Sequence, residues 1–444
     1  MKTFKTRLIS GFFLLLISVT NGVAQDKIWT LKDCIDYALS KNIQIQKADL
    51  STSRYELNAQ QAQNNRLPSV SGSVNQSFNW YKGFDSSTGQ YGNSNGSNST
   101  SYGLSTSVSL FNGQKLTNKI KQAEINFESG RYYSETVKES VGLNIVNAYL
   151  QVLYAYESVK NAEKQIESTT EQLAFAQERM NLGVISMSDY LQVKSELASE
   201  KSTLASAQSQ LSINKVSLMQ LMELPVDSNF EIASPNLDSL LFSLEKPNAQ
   251  EIYNAALKFK PEIKNAELTT ESSKLDVKIA KADALPSLSA NGGLSTSYSS
   301  LNSGSYSSQL KDKVNPSIGL SLSVPIFQKK QIKTNIGLAN IAVSEAELDE
   351  MNTKNELRKS IEQACVDVNS AQAQYESSIE EYNATKESYD VADEKYKLGL
   401  LNSVDLLIQK TNLITSESKL LQAKYNLIFS SKVVDFYKGI ALTL

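Results

Sequence analysis

The chain repeats itself. Residues 29–224 and 249–442 carry one pattern twice in nearly fixed register. The offset is 218 near the start, where Leu67-Pro68-Ser69 matches Leu285-Pro286-Ser287. After one variable loop it is 216: Gly103-Leu104-Ser105 matches Gly319-Leu320-Ser321, Phe111 matches Phe327, and Asp189 matches Asp405. A unit of about 200 residues is far longer than the roughly 20–50-residue repeats of solenoids. It is a duplicated half, so the fold must be pseudo-symmetric, and a device present in one half recurs in the other.

The 444 residues are enough for two or three ordinary domains, but the breakers argue for something elongated. No proline lies between Pro68 and Pro225 or after Pro325. Proline removes an N–H and clashes with the preceding turn. Long stretches without it, rich in Ala, Gln, Glu, Lys and Leu, read as long helices. The spacing predicts helices over about 115–182 and 328–398. At about 1.5 Å per residue each reaches on the order of 100 Å and needs neighbours along its whole length. The returning helices supply them: Leu197, Leu204, Leu211 and Leu218 recur every seven residues, as do Leu413, Leu420, Leu427 and Val434. That is a coiled-coil seam.

Between the helices lie stretches of strict alternation. Val70, Val74, Phe78 and Trp80 interleave with Ser69, Ser71, Ser73, Asn75 and Ser77. Ile318, Leu320, Leu322, Val324 and Ile326 interleave with Ser317, Gly319, Ser321 and Ser323. Period two means one wet face and one apolar face. Four strands are expected, over about 68–81, 101–111, 286–299 and 316–327, with a Gly/Ser/Asn-rich loop running to about Thr100. Their length of about ten residues suits tilted transmembrane strands, and Trp80, Tyr81, Tyr102, Phe111, Tyr298 and Phe327 sit near the ends, where interfacial girdles form. Lipid permits no open sheet edge. Four strands therefore close only between chains, eight in a dimer or twelve in a trimer.

Lys2, Lys5 and Arg7 precede the apolar run Leu8–Val19, and small residues precede Gln25, so residues 1–24 read as a secretory signal peptide. No cysteine follows that site, and no N-terminal lipid is expected. The mature chain then divides into a first repeat over 25–224, a linker over 225–248 and a second repeat over 249–444. The chain has no histidine, which removes His-based triads, bases and metal ligands. Net charge is −3 with both signs interspersed, which argues against nucleic acid. Cys34 and Cys365 sit singly and read as small buried side chains. No cofactor, metal site or catalytic group is expected.

Each long helix turns back at a similar tip. One is Arg179 to Asp189 and the other Lys395 to Asp405. Gly183 and Gly399 fit left-handed C-caps, and Ser186 and Asn402 fit N-caps, with Asp189 and Asp405 three residues on.

Taken in order and twice over, the Leu-Pro-Ser strand entries, Ser323-Val324-Pro325-Ile326-Phe327 and the two Leu-Gly turns followed by aspartate resemble the TolC-type outer-membrane efflux family. The resemblance implies a mainly α protein with a membrane β-barrel. Three chains would share a twelve-stranded barrel, continued by a tunnel of long antiparallel coiled-coil helices forming an α-barrel. It implies a passive exit duct for efflux or secretion that works with a periplasmic adaptor and an inner-membrane pump. It assigns adaptor docking to Leu182, Gly183, Leu398 and Gly399, with Arg179 nearby, and the periplasmic gate to Asp405, Asp189 and Ser188. Two positions depart from the family's polar latch: Leu401 stands where an arginine is expected and Ile408 where a further aspartate is expected. A soluble periplasmic coiled-coil or adaptor protein and a secreted enzyme are the competing readings. The lipid-facing rows separate the first from the duct, and the missing histidine weighs against the second.

Overall fold

The computed structural model describes residues 28–227, 229–235 and 246–443. The signal segment 1–24 and part of the linker lie outside the described residues.

The duplication is visible element by element. Helices α1 (Leu31–Lys41) and α2 (Ile43–Asn64) recur as α5 (Ala249–Phe259) and α6 (Pro261–Ala282). Helices α3 (Lys115–Asn181) and α4 (Met187–Leu221) recur as α8 (Gln331–Lys397) and α9 (Ser403–Lys438). The two halves start their second helices differently. Asn42 caps α2 by accepting from the N–H groups of Gln44 and Ile45. Its twin Lys260 has no acceptor to offer, and Pro261 opens α6 instead, removing one orphan N–H. Lys260 is buried and pairs with Glu139 at 2.9 Å.

Strands β2 (Ser69–Asp85), β3 (Gln90–Phe111), β5 (Ser287–Ser299) and β6 (Asn315–Ser323) form one antiparallel sheet in the order β2-β3-β5-β6. Register places the polar rows together, Ser71 opposite Ser105 and Ser289 opposite Ser321. It also joins the apolar rows, Leu104 opposite Leu294 and Leu288 opposite Leu322. The apolar row is open to the surroundings, with Ile318 96% exposed. Among the described residues, β2 and β6 each have one unpaired edge. A separate parallel pair, β1 (Ile28–Trp29) and β4 (Glu231–Ile232), ties the N-terminal segment to the linker that follows the first half.

Three details differ from the sequence expectation. The polar loop before Thr100 is mostly strand, because β3 starts at Gln90 and pairs with β2 up to Asp85. Gly, Ser and Asn are poor strand formers, but cross-strand pairing outweighs that weak preference. Strand β6 stops at Ser323 and not at 327, since Pro325 cannot donate to a ladder. The connection between β5 and β6 contains a short helix, α7 (Tyr306–Asp312), that no periodicity announced. It is held by Gln309, whose side chain donates to the carbonyls of Ser299, Asn302 and Gly304.

The core sits where the helix layers cross. In the first half Tyr149, Ile145, Leu153, Leu218 and Met222 pack with Phe230 and Ile232. In the second, Ile263, Leu357, Ile361 and Val368 pack with Val434. Cys34 and Cys365 are buried in these clusters. The heptad seam is fully buried here, at Leu218 and Leu427, and only half-buried towards the tips, at Leu197 and Leu204.

Both strand-to-helix turns use two consecutive left-handed residues, Gly113-Gln114 and Lys329-Lys330. A Cβ on Gly113 would lie 2.8 Å from Leu285 Cβ. Gly113→Ala is expected to cost about 2–4 kcal/mol, from left-handed strain plus overpacking. The twin Lys329→Gly is expected to gain about 1 kcal/mol. Denaturant midpoints of the detergent-solubilised protein check both.

Candidate functional site

The two hairpin tips are built alike. Leu182 ends α3, and Gly183 follows at φ +75°. The N–H of Val184 donates to Arg179 O at 2.9 Å and that of Gly183 to Met180 O at 3.0 Å. At the other tip Leu400 donates to Lys395 O at 2.8 Å and Gly399 to Tyr396 O at 3.0 Å. These are paired Schellman motifs, and the left-handed residue is glycine because a Cβ is strained there. Each reverses a long helix in a few residues and leaves large apolar side chains outside. Leu182 is 78% exposed, Leu398 72% and Leu400 74%. Val184, Met187, Val404 and Ile408 are exposed beside them.

Behind the tips, a line of polar contacts joins the first hairpin to the second. Ser186 and Asp189 form a reciprocal capping box at the start of α4. The second oxygen of Asp189 accepts from Ser403 Oγ at 2.6 Å, at the start of α9. Further in, Arg179 Nη1 donates to Tyr396 O at 2.7 Å, and its guanidinium lies over the rings of Phe175 and Tyr396. A Cβ on Gly399 would come within 3.2 Å of this guanidinium, a second reason for glycine there. One heptad deeper, Gln172 Nε2 donates to Tyr389 OH at 2.6 Å. Deepest lies an ion pair. Lys410 Nζ is 2.8 Å from a Glu200 oxygen, with both side chains about 95% buried, close enough to pair though not aligned as a hydrogen bond. Lys410 also donates to Thr169 Oγ1.

Asp189, Arg179 and Gly399 thus meet at one junction, and Arg179 points into it and away from the exposed tip. Ser188 is exposed beside Asp189. Asp405 is exposed on the far flank of the second hairpin, where it caps α9 together with Asn402. Leu401, at the expected arginine position, packs against the cluster of Ala392, Tyr396 and Leu406. Ser403, Tyr396, Tyr389 and the Lys410–Glu200 pair escaped the sequence reading. The seven-residue steps 172/179 and 389/396 were the available signal.

The hydrogen bond from Ser403, and then that from Ser186, holds the Asp189 carboxyl below the usual carboxylate range. Desolvation raises the Glu196 carboxyl, and the neighbouring Glu200 adds to this.

Among the described residues, a thin sheet with two open edges is mounted on two very long helical hairpins. The solved structure of CusC, described by its transmembrane channel formation, has this fold at a TM-score of 0.79 and 19% identity, covering 93% of this chain and 92% of that one. The outer membrane channel CmeC of Campylobacter jejuni matches at 0.76 and 22% identity, covering 92% and 85%. The open state of the MtrE outer membrane channel of Neisseria gonorrhoeae matches at 0.74 and 20%, covering 92% and 88%. Comparison with curated protein sequences returns no match. Residues 34–223 and 252–432 match the outer membrane efflux protein family, one segment in each half, and the chain belongs to that family.

Two outcomes test the junction. Lys410→Ala leaves Glu200 buried and unpaired, and is expected to cost about 3–5 kcal/mol, whereas Lys410→Met with Glu200→Met recovers most of it. Denaturant titration of both variants measures this. The depressed Asp189 carboxyl makes its contribution in full above its unfolded value near ~3.9, and loses it as pH falls through the lower folded value. Amide exchange at 186–192 and 400–406 is expected to quicken over that acid range, and in Asp189→Ala to be fast at every pH.

Proposed function

We propose that the protein is the outer-membrane exit duct of a tripartite efflux or type I secretion system. The observation that carries this is the pair of unpaired strand edges beside an apolar face. In lipid, an edge strand's free N–H and C=O groups cost several kcal/mol each, so β2 of one copy must take β6 of the next. Three copies make a twelve-stranded barrel with its Ser, Gly and Asn rows inward and its Val, Leu and Ile rows to lipid. Below it, three pairs of hairpins make a tube that reaches on the order of 100 Å into the periplasm.

The duct is passive and needs an inner-membrane pump. The exposed tips around Leu182-Gly183 and Leu398-Gly399 suit a periplasmic adaptor, which would cover their apolar side chains. Arg179 contributes by stiffening the tip from behind. Asp405 is the strongest gate candidate, with Asp189 and Ser188 behind it. Three copies of Asp405 around one axis repel one another and favour cations. A soluble periplasmic coiled-coil protein would have no use for the exposed row from Ile318 to Leu322.

Membrane fractionation checks the location: the protein should require detergent for release, and recovery in the soluble periplasm would sink the duct reading. In planar bilayers, Asp405→Ala is expected to weaken divalent-cation block of the single-channel current several-fold. Unchanged block removes Asp405 from the gate.

A further inference from the structure

The apolar face of the sheet changes character along its length. Near the helices it is a run of Leu, Val and Ile. At the far end, where β5 hands over to β6, it turns polar. Thr100 lies opposite both Gln76 and Tyr298, in the same rows as Val74, Leu104 and Leu294. Its hydroxyl donates to Gln76 Oε1. Helix α7 lies over this end of the face. Thr296 Oγ1 donates to Leu310 O at 2.6 Å, and the Tyr102 and Tyr306 hydroxyls are 2.8 Å apart. The Tyr298 and Tyr306 rings stack at 4.8 Å between centroids. Thr296, Tyr102 and Tyr298 all belong to the apolar-face rows, so α7 is mounted on the face turned to lipid and not on the Ser, Gly and Asn face.

Beside α7 this face is hollow. A groove of about 320 Å³ is lined by Gly72, Val74, Leu104, Leu294 and Val314, with Tyr102 and Thr296 at its edge. That is the lower end of the roughly 300–1,000 Å³ of small-ligand pockets. Gly72 keeps it open. A Cβ there would meet only Leu104 Cδ2 at 3.4 Å and Gly103 O at 3.9 Å. What fills an apolar groove on a lipid-facing surface is an acyl chain.

The rim is basic and aromatic. Leu310 is bonded to one lining residue and Val314 is another, and between them stand Lys311 and Lys313. Lys311 is exposed; Lys313 is half-buried, with Nζ donating to Gln309 Oε1 at 2.8 Å. Neither has a carboxylate partner among the described residues. Asp312 is the one acid from 284 to 344. Tyr306, tied to the groove through Tyr102, is 43% exposed. Apolar groove, unpaired cations and an exposed ring together fit an amphiphile with a phosphate and a sugar. The ring gives a sugar's C–H face a stacking surface, which a glycerol headgroup does not use.

We propose that this groove seats a phosphorylated glycolipid of the outer leaflet. An acyl chain lies along Gly72, Leu104 and Leu294, the sugar rests against Tyr306, and the phosphate is held by Lys311 and Lys313. The outer leaflet is the source because α7 stands at the end of the sheet away from the helices. This rests on the channel reading, which puts the face in lipid, and adds to it a specific lipid.

Lipid retention by the detergent-purified trimer, read by native mass spectrometry, tests it. Titration with bisphosphorylated lipid A should leave one molecule bound per chain. Gly72→Leu fills the groove and should abolish retention in an intact trimer. Lys311→Gln with Lys313→Gln should weaken binding about tenfold, the loss of charge-assisted contacts. Lipid A stripped of its phosphates should bind the wild type as weakly, and Lys333→Gln, at the opposite end of the sheet, should change nothing. Phosphatidylglycerol should bind about tenfold more weakly than lipid A. A wild-type trimer that retains no lipid A overturns the proposal, as does an intact Gly72→Leu trimer that retains it, or a rim double variant of unchanged affinity. Equal binding of phosphatidylglycerol overturns the glycolipid assignment. Where Gly72→Leu does not assemble, the rim double variant decides. A wild-type protein that leaves the membrane without detergent and does not trimerise sinks the duct reading and the lipid seat with it.

Discussion

Backbone groups at a strand edge cannot face hydrocarbon, and the rest of the molecule follows from that prohibition. The chain makes four strands in one sheet, and the sheet ends in β2 on one side and β6 on the other. A soluble protein would blunt such edges with charge or cover them. Here the strands carry Ser, Gly and Asn on one face and Val, Leu and Ile on the other, and β2 and β6 are left open within the chain. The design makes sense when the edges are completed by copies of the same chain. The helices state the same requirement differently. The 67-residue α8 leaves Leu338, Ile341, Leu348 and Met351 exposed in its first third, and Val366 and Val391 further along.

Duplication makes two like hairpins, and the chain sets them apart by placing its polar residues unequally. Glu200 stands opposite Ser416, Tyr389 opposite Leu173 and Ser403 opposite Met187 in the two halves. A buried ion pair adds little net stability over an apolar pair, but separating its members is costly. Placing Lys410–Glu200 between the two hairpins therefore makes their junction within the chain reluctant to part.

Much of the fold was legible before any coordinates. The long helices followed from missing prolines, the tip turns from Leu-Gly before a capping residue, and the sheet faces from period-two alternation. The misreadings share a cause. Residues 90–100 look like a loop because Gly, Ser and Asn disfavour strands, but their neighbour across β2 decides otherwise. Helix α7 is too short to carry a period, and depends on Gln309 reaching carbonyls in the preceding turn. At the tips, Asp189 and Arg179 stood out as residues while their partners did not. Contacts between helices more than 200 positions apart leave only a faint seven-residue trace in each strand of sequence.

The sequence by itself determined the repeat, the helix and strand periods, the caps and the two-faced sheet, because each of these is set by residues a few positions apart. Tertiary structure alone decided which of two like residues does what. Lys194 and Lys410 occupy twin positions in nearly the same local pattern. One is exposed in the single chain, and the other is buried against Glu200. That difference depends on which helix lies alongside, and no local pattern records it.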